Sequence, residues 1–313
     1  MPPTPVILDC DPGHDDMLAI VLAAAHPAVD LLAITTVAGN GTLERTTANA
    51  RATCELAGIE GVPIAAGAPG PLVGTPRIAS DVHGESALDG AQMPSGASVP
   101  LRPEHAVELM ARLLREHDRP VTLVPTGPLT NVALLLRMHP ELAARIQAIV
   151  LMGGTMAEGN TTPVAEFNIV ADPEAADVVV RSGVPVTLCG LDVTHQALAT
   201  PAVLDRIGAQ GTPLARAVVD LLGFFGERYR ALWGFAAPPV HDPVAVARVI
   251  DPAIVGCVDA HVAIELAGTH TRGATVCDRH GVLGRQPNAR VATTLDVDAF
   301  WALLVDALGA LGR

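Results

Sequence analysis

Not one lysine occurs among the 313 residues, so every one of the 20 basic side chains is an arginine. That excludes Schiff-base lysine chemistry, pyridoxal-type catalysis and the phosphate-cradling lysine of a Walker loop. Aromatic residues are scarce at 3%, which leaves few side chains on which a flat ligand could stack. Cysteine is also thin: Cys10, Cys54, Cys189, Cys257 and Cys277 are odd in number and form no CxxC pair. They suit free thiols in a reducing cytoplasm better than a disulfide framework or a zinc site. Long apolar runs are missing, and a stretch such as Met17–Ala25 falls short of the ~20 residues that span a bilayer. The opening Met-Pro-Pro-Thr-Pro has neither a basic start nor an apolar signal core, so a cytoplasmic location is expected rather than secretion or a membrane. Positive charge is in deficit, with a net charge of −13. Phosphate backbones are repelled by such a surface, which argues against nucleic acid as a partner but not against a neutral small molecule.

What is present is half apolar, ample for a sizeable core. Short β-branched runs alternate with longer amphipathic stretches. Strands are expected near Val6–Leu8, Leu31–Val37, Val121–Val124, Ile149–Met152, Val186–Leu188, Val258–Ile264 and Val291–Leu295. Helices are expected near Asp15–His26, Leu43–Ala57, Ala106–Glu116, Thr130–Arg137, Glu174–Ser182, Pro213–Leu232 and Ala299–Leu311. Thr212 and Pro213 read as the N-cap and first turn of the sixth helix. The alternation predicts an α/β fold: one domain over residues 1–313, with an open, mostly parallel (mixed) sheet and helices on both faces. Ligand capture is then expected beyond the carboxyl ends of the strands. Gly67–Pro103, rich in Pro, Gly and Ser, reads as a long functional loop.

The first strand runs into Asp9-Cys10-Asp11-Pro12-Gly13-His14-Asp15-Asp16, four carboxylates within eight residues. One or two acids near a helix start are explained by capping and the helix dipole; four are not. Two such charges ~4 Å apart repel by about 4 kcal/mol at an effective dielectric of 20. A cation among them, or sharply raised pKa values, must relieve this. Oxygen ligands without a thiolate or imidazole pair favour calcium or magnesium over zinc. A second acidic signal, His241-Asp242-Pro243, could close such a cage from a distant strand end.

Further segments follow in order: Ala33–Asn40, His83-Gly84-Glu85-Ser86, Val124–Asn131, Leu151–Gly154, Glu158-Gly159-Asn160, Ala165–Asn168, Asp172–Ala176 and Asp192-Val193-Thr194-His195. Together with the acidic turn and His241-Asp242-Pro243, this ordered set resembles the inosine/uridine-preferring branch of the nucleoside hydrolase family, from Val6 to the final helix. The resemblance implies a Rossmann-like nucleoside hydrolase fold and calcium-dependent hydrolysis of a ribonucleoside. It implies calcium held by Asp11, Asp16, Asp242 and the carbonyl of Thr126, with water and the ribose diol completing the shell. Asp15, Asn160, Glu166 and Asn168, with the backbone near Met152, resemble the ribose-binding set, and Asn40 and His83 line the same pocket. His241 resembles the residue beside the leaving base. Among the few aromatics, Phe167, Tyr229, Trp233 and Phe235 are the candidates for stacking on the base, and Trp233 stands where several members carry an arginine. A homotetramer or homodimer is also implied.

The chemistry asks for these groups. Cleaving an N-glycosidic bond builds positive charge on the sugar, and water must lose a proton as it attacks. Asp11 is the expected general base, while His241 is expected to offer the leaving base a proton or a hydrogen bond near neutral pH. His195 reads as structural. A phosphatase of the haloacid-dehalogenase type also opens with Asp-x-Asp, but Pro12 follows Asp11 here and the anchoring lysine is lacking. A non-catalytic nucleoside- or calcium-binding protein is the other alternative, disfavoured by the presence of both Asp11 and His241.

Overall fold

Alternating side chains of the first strand, β1 (Thr4–Cys10), divide the interior in two. Val6, Leu8 and Cys10 join one buried apolar cluster, while Ile7 joins the other, as the two-residue period of a strand requires. The computed structural model describes residues 2–311. After β1 come α1 (His14–Ala25), β2 (Val29–Thr36), α2 (Leu43–Ala57), β3 (Ile64–Ala66), α3 (Ser80–His83), β4 (Leu101–Arg102), α4 (Ala106–Glu116) and β5 (Val121–Pro125). Next are α5 (Thr130–Met138), a 3-10 turn (Pro140–Arg145), β6 (Ile146–Met152), α6 (Phe167–Ala171), α7 (Pro173–Val180), β7 (Val186–Cys189) and α8 (Leu191–Thr194). The chain then forms α9 (Pro201–Gly208), α10 (Pro213–Trp233), α11 (Pro243–Ile250), β8 (Val255–Ile264), β9 (Thr275–Asp278), β10 (Ala289–Leu295) and α12 (Val297–Leu311).

The strands form one ten-stranded sheet in the order β4-β3-β2-β1-β5-β6-β7-β10-β8-β9. Pairing is parallel from β4 to β10 and antiparallel only where β8 meets β10 and β9. The expected mixed, mostly parallel α/β architecture is therefore what forms. From β1 the chain first winds outward through β2, β3 and β4, then returns to β5 on the other side of β1. The reversal opens a crevice at the carboxyl ends of β1 and β5, the usual ligand position in open α/β sheets.

Helix α1 lies against α2, α11 and α12, and every residue from His14 to Ala23 is buried. A helix apolar on all sides belongs inside a fold, which explains why its polar first turn matters so much below. Long amphipathic segments follow the sequence pattern closely; α10 begins with Thr212 accepting from the Ala215 amide and Pro213 in its first turn. Several short elements do not follow from it. Two-residue β4 and four-residue α3 lie inside the Gly67–Pro103 stretch, and β3, α9, α11 and β9 were not anticipated. Among the described residues, no helix is long and apolar enough to cross a membrane.

Ile20, fully buried on α1, tests this packing. Ile20→Ala should lower the unfolding free energy by about 2–5 kcal/mol, seen as a lower midpoint in thermal denaturation. An unchanged midpoint would mean that α1 is not enclosed as described.

Candidate active site

The turn after β1 carries its acids to different destinations. Asp9, still in the strand, points away from the crevice. Its Oδ1 accepts from Thr35 Oγ1 at 2.7 Å and Asn131 Nδ2 at 2.8 Å, tying β1 to β2 and α5. Strand geometry ends at Cys10, so Asp9 and Asp11 do not share an extended face. Asp16 closes the start of α1 by accepting from the Gly13 amide at 3.0 Å and the Asp11 amide at 3.3 Å. It also accepts from Thr126 Oγ1 at 2.8 Å and Asn40 Nδ2 at 3.0 Å, so one carboxylate joins the ends of β1, β2 and β5.

Asp11 is pinned by glycines. Its Oδ2 accepts from the Asn40 amide at 2.7 Å, and a Cβ on either Gly39 or Gly127 would collide with its carboxylate. Oδ1 is buried and has no hydrogen-bond partner. Asp242 sits at the N-terminus of α11 yet makes no capping bond with its side chain, which removes the ordinary explanation for an Asp before Pro243. One carboxylate oxygen from each of Asp15, Asp16 and Asp242 lies within 4.8 Å of the others, and all three residues are buried. The tightest trio thus contains Asp15 where the resemblance implied Asp11, and Asp11 stands beside it with its free oxygen.

Such crowding has an electrostatic signature. Burial, with the charge of Asp16 adding to it, pushes Asp15 up to about 7. Asp11 and Asp242 are held well above the carboxylate range by burial first and by their acidic neighbours second. Among the described residues no cationic side chain is bonded to any of Asp11, Asp15, Asp16 and Asp242, so positive charge is what their ionised forms lack. The donor set is hard oxygen: Cys10 Sγ is turned to the Thr35 carbonyl, and both ring nitrogens of His14 are engaged elsewhere. A hard divalent cation fits these residues and zinc does not.

Across the crevice, the segment after β6 supplies neutral donors and acceptors. Asn168 Nδ2 donates to the carbonyls of Thr126 at 2.7 Å and Met152 at 3.2 Å, which fixes the amide orientation and leaves Oδ1 free. Asn160 Oδ1 accepts from the Phe167 amide at 2.9 Å, which leaves its Nδ2 free. Glu166 is not an exposed carboxylate: it is buried, caps α6 by accepting from the Asn168 and Ile169 amides, and also accepts from Gly154. Burial pushes it up to about 7.

The remaining wall is aromatic. His241 is buried with both nitrogens on hydroxyls, Nδ1 at 2.8 Å from Thr194 Oγ1 and Nε2 at 2.7 Å from Tyr229 Oη. Burial holds its pKa well below the usual histidine value. Of the two roles expected for it, a neutral ring that donates one N–H is therefore favoured over a charged ring that gives up a proton. Tyr229 packs against Phe225 and Trp233 at ring-centroid distances of 4.7 Å. Trp233 is 36% exposed and stands at the rim.

One cavity gathers Asp15, Asn40, His83, Thr126, Met152, Asn160, Glu166, Phe167, Asn168, Tyr229, Trp233, His241 and Asp242. Every expected substrate-side residue is among them except the stacking candidate Phe235, which lines the adjoining cavity. Asp11 and Asp16 lie behind this lining, bonded to Asn40 and Thr126. Sequence reasoning missed Phe225 in the same wall, Thr194 on His241, and the adjoining cavity where His195, Asp192 and Phe235 meet Tyr229 and Trp233. Thr194 and His195 did lie in a recognised segment, but nothing in their spacing pointed at a residue 47 positions away.

Comparison with known proteins agrees with this geometry. The sequence profile described as inosine-uridine preferring nucleoside hydrolase matches residues 6–302. The pyrimidine-specific ribonucleoside hydrolase RihA of Shewanella sp. (strain MR-7) is 50% identical over 305 residues, covering 97% of this chain and 96% of that protein. The protein of the same name from Escherichia coli O127:H6 is 48% identical, covering 97% and 98%. Among solved structures, the purine-preferring ribonucleoside hydrolase from Gardnerella vaginalis superposes with a TM-score of 0.92 at 31% identity, over 99% of both chains. The chain belongs to the inosine-uridine preferring nucleoside hydrolase family. It is a ribonucleoside hydrolase, an enzyme that cuts N-glycosidic bonds.

The raised carboxyls make a pH prediction with a definite sign. In the folded, metal-free protein Asp9, Asp15 and Glu166 sit near 7 rather than at 3.8 or 4.5, so the native state holds more protons than the unfolded one in between. Stability then falls as pH rises through that window. A bound divalent cation favours the ionised forms of its ligands and reverses the trend. In chelator, the thermal midpoint should drop between about pH 5 and about pH 8, and added cation should raise it most at the alkaline end. A chelated protein that gains stability over this range would contradict the proposed electrostatics.

Proposed function

We propose that this chain hydrolyses pyrimidine ribonucleosides to free base and ribose, with calcium as its resident cation. The observation that carries the reading is the buried group of Asp11, Asp15, Asp16 and Asp242 at the switch point, facing a cavity of neutral polar groups and aromatic rings. Asp11, Asp16, Asp242 and the second lone pair of the Thr126 carbonyl would hold the ion. Calcium, when bound, supplies positive charge that offsets these carboxylates and orients a water and the ribose 2′- and 3′-hydroxyls.

Asp11 acts as general base, because its buried Oδ1 is left without a hydrogen-bond partner and can take the proton of the attacking water. Its other oxygen, held by the Asn40 amide, keeps the carboxylate from turning away. As the C–N bond lengthens, positive charge on the sugar is stabilised by buried Asp15 and Glu166 and by Asn168 Oδ1. Asn160 offers its free Nδ2 to a sugar hydroxyl, and the Met152 backbone shapes the same side. His241 assists the base as a neutral donor, in a relay with Tyr229 and Thr194 rather than as a standing cation. Phe167, Tyr229 and Trp233 supply the flat surfaces for the base, Asn40 and His83 the remaining contacts.

The preference for pyrimidines is supported by the names of relatives at 48–50% identity, against 31% for the purine-preferring structure. The reading extends to nucleoside salvage in the cytoplasm by a homodimer or homotetramer; five free cysteines suit a reducing compartment.

Uridine, cytidine, inosine and adenosine, assayed with and without chelator for free base and reducing sugar, test the whole reading. Uridine and cytidine should be cleaved, and chelator should stop it. Faster cleavage of inosine would remove the pyrimidine assignment, and no cleavage of any nucleoside would remove the reaction. Asp11→Asn should lower turnover by about 10²–10⁴-fold, the range for loss of a general base, with an unaltered circular dichroism spectrum. Near-normal turnover in that variant would move the base elsewhere. Asp242→Ala should strip metal from the protein and lower its thermal midpoint together; full metal content by elemental analysis would contradict the proposed ligand set.

A further inference from the structure

His14 lies inside the acidic turn, and the reaction above gives it no task. Its ring is buried and stacks on Phe224 and Phe225 of α10, at centroid distances of 5.5 Å and 5.0 Å and an interplanar angle of 6° in both cases. Nε2 stands 2.7 Å from the carbonyl oxygen of Asp89. A carbonyl has no proton to give, so Nε2 carries the hydrogen. An uncharged ring protonated there has a bare Nδ1, and this lone pair meets His83 Nδ1 at 3.0 Å. Two lone pairs at that distance repel, so the proton between them belongs to His83. His83, uncharged in turn, is left with a bare Nε2.

That nitrogen has no bonding partner among the described residues, although His83 lines the cavity. Gly13 permits the arrangement, since a Cβ there would stand 2.5 Å from His83 Nδ1. One contact pulls the other way: the His14 amide lies 3.4 Å from His83 Nδ1. Accepting from that amide would require His83 Nδ1 to be bare and His14 to be doubly protonated between two phenyl rings. The nearest carboxylate, Asp89, is already committed to the Glu85 and Ser86 amides and the Ser86 hydroxyl. The contacts at 2.7 Å and 3.0 Å outweigh a long one at 3.4 Å.

We infer that His14 is a positioning residue that locks His83 in its Nδ1–H tautomer, so that His83 turns an unprotonated Nε2 to the cavity and accepts a hydrogen bond from an O–H or N–H donor of the nucleoside. The substrate half of this inference rests on the proposed reaction; the tautomer does not. A nucleoside has three kinds of donor that the diol site leaves free: the ribose 5′-hydroxyl, an exocyclic amine of the base, and a ring N–H such as that at N3 of uracil. His83 discriminates by rejecting a group that can only accept.

Nitrogen NMR of the histidine rings in the metal-loaded enzyme reads the tautomer directly, with His83→Gln used for assignment. The expected result is a protonated Nδ1 and bare Nε2 on His83, and the opposite pair on His14. A protonated Nε2 on His83 overturns the inference. In kinetics, His14→Phe keeps the stacked slot but loses the acceptor, and should raise KM for the preferred nucleoside by about tenfold, roughly the worth of one hydrogen bond, with a smaller change in kcat. His14→Gln, whose amide can donate to the Asp89 carbonyl and accept from His83, should recover most of that loss. Equal defects in the two variants would reduce His14 to a packing residue. If the ribose 5′-hydroxyl is the donor, the His83→Gln penalty disappears with 5′-deoxyuridine; if an amine is the donor, the penalty appears with cytidine and not with uridine. If the ring N–H of uracil is the donor, the penalty disappears with 3-methyluridine; a penalty indifferent to all three changes removes the acceptor role. Failure of the enzyme to cleave any nucleoside would sink the proposed reaction and leave the NMR result to decide the tautomer alone.

Discussion

Four buried carboxylates without a cationic side chain among them are the constraint around which this fold is arranged. Each costs free energy to desolvate, and their proximity adds repulsion that no side chain of this lysine-free protein offsets. The sheet order explains how they come together. β1 and β5 are neighbours whose onward connections run in opposite directions, so their carboxyl ends leave a gap that loops from four strands fill. Asp16 sits at the centre of that gap and binds to three of these loops at once. The chain therefore spends native stability on a region that a bound cation would make favourable, and in the proposed function affinity for that cation is the other face of the strain.

The polar groups around the cluster divide by charge. One side of the cavity is acidic and suited to a cation and a sugar diol. The far side is built of amides, hydroxyls and aromatic rings, suited to a base that must leave with its electrons. His241 belongs to that second side, and its neutrality follows from where it is: a ring buried between Thr194 and Tyr229 gains nothing by ionising. In the proposed reaction this separation would put positive charge development on the sugar next to negative groups and keep the leaving base away from them.

Much of this was legible in the sequence, and the reasons differ by element. The long amphipathic helices and the central strands carry strong periodic patterns, so α2, α4 and α10 were placed closely. Short elements such as α3, β4 and α11 carry too few residues for periodicity to speak; α11, Pro243–Ile250, is an apolar run broken only by Arg248 that a strand could equally well have used. The acidic turn raised the expectation of a cation because four acids within eight residues are costly to bury under any fold. The sorting of those acids was not legible: nothing local says that Asp9 turns away to Thr35 and Asn131, or that Asp15 rather than Asp11 stands nearest Asp242. Likewise the charge state of His241 depends on burial by distant residues. The partnership of His14 with His83, 69 positions away, exists only once α1 and α3 have met.

The glycines that hem in Asp11 carry a further implication. Gly39 follows β2 and Gly127 follows β5, and both backbones press on a carboxylate that follows β1, while Asp242 arrives from the far end of the chain. With Asp11 and Asp242 in the proposed ligand set, hydrolytic competence would be a property of the completed sheet. During synthesis such an enzyme would stay inert until its last third had been made and folded back, which would make appearance of product a stopwatch for the final docking event.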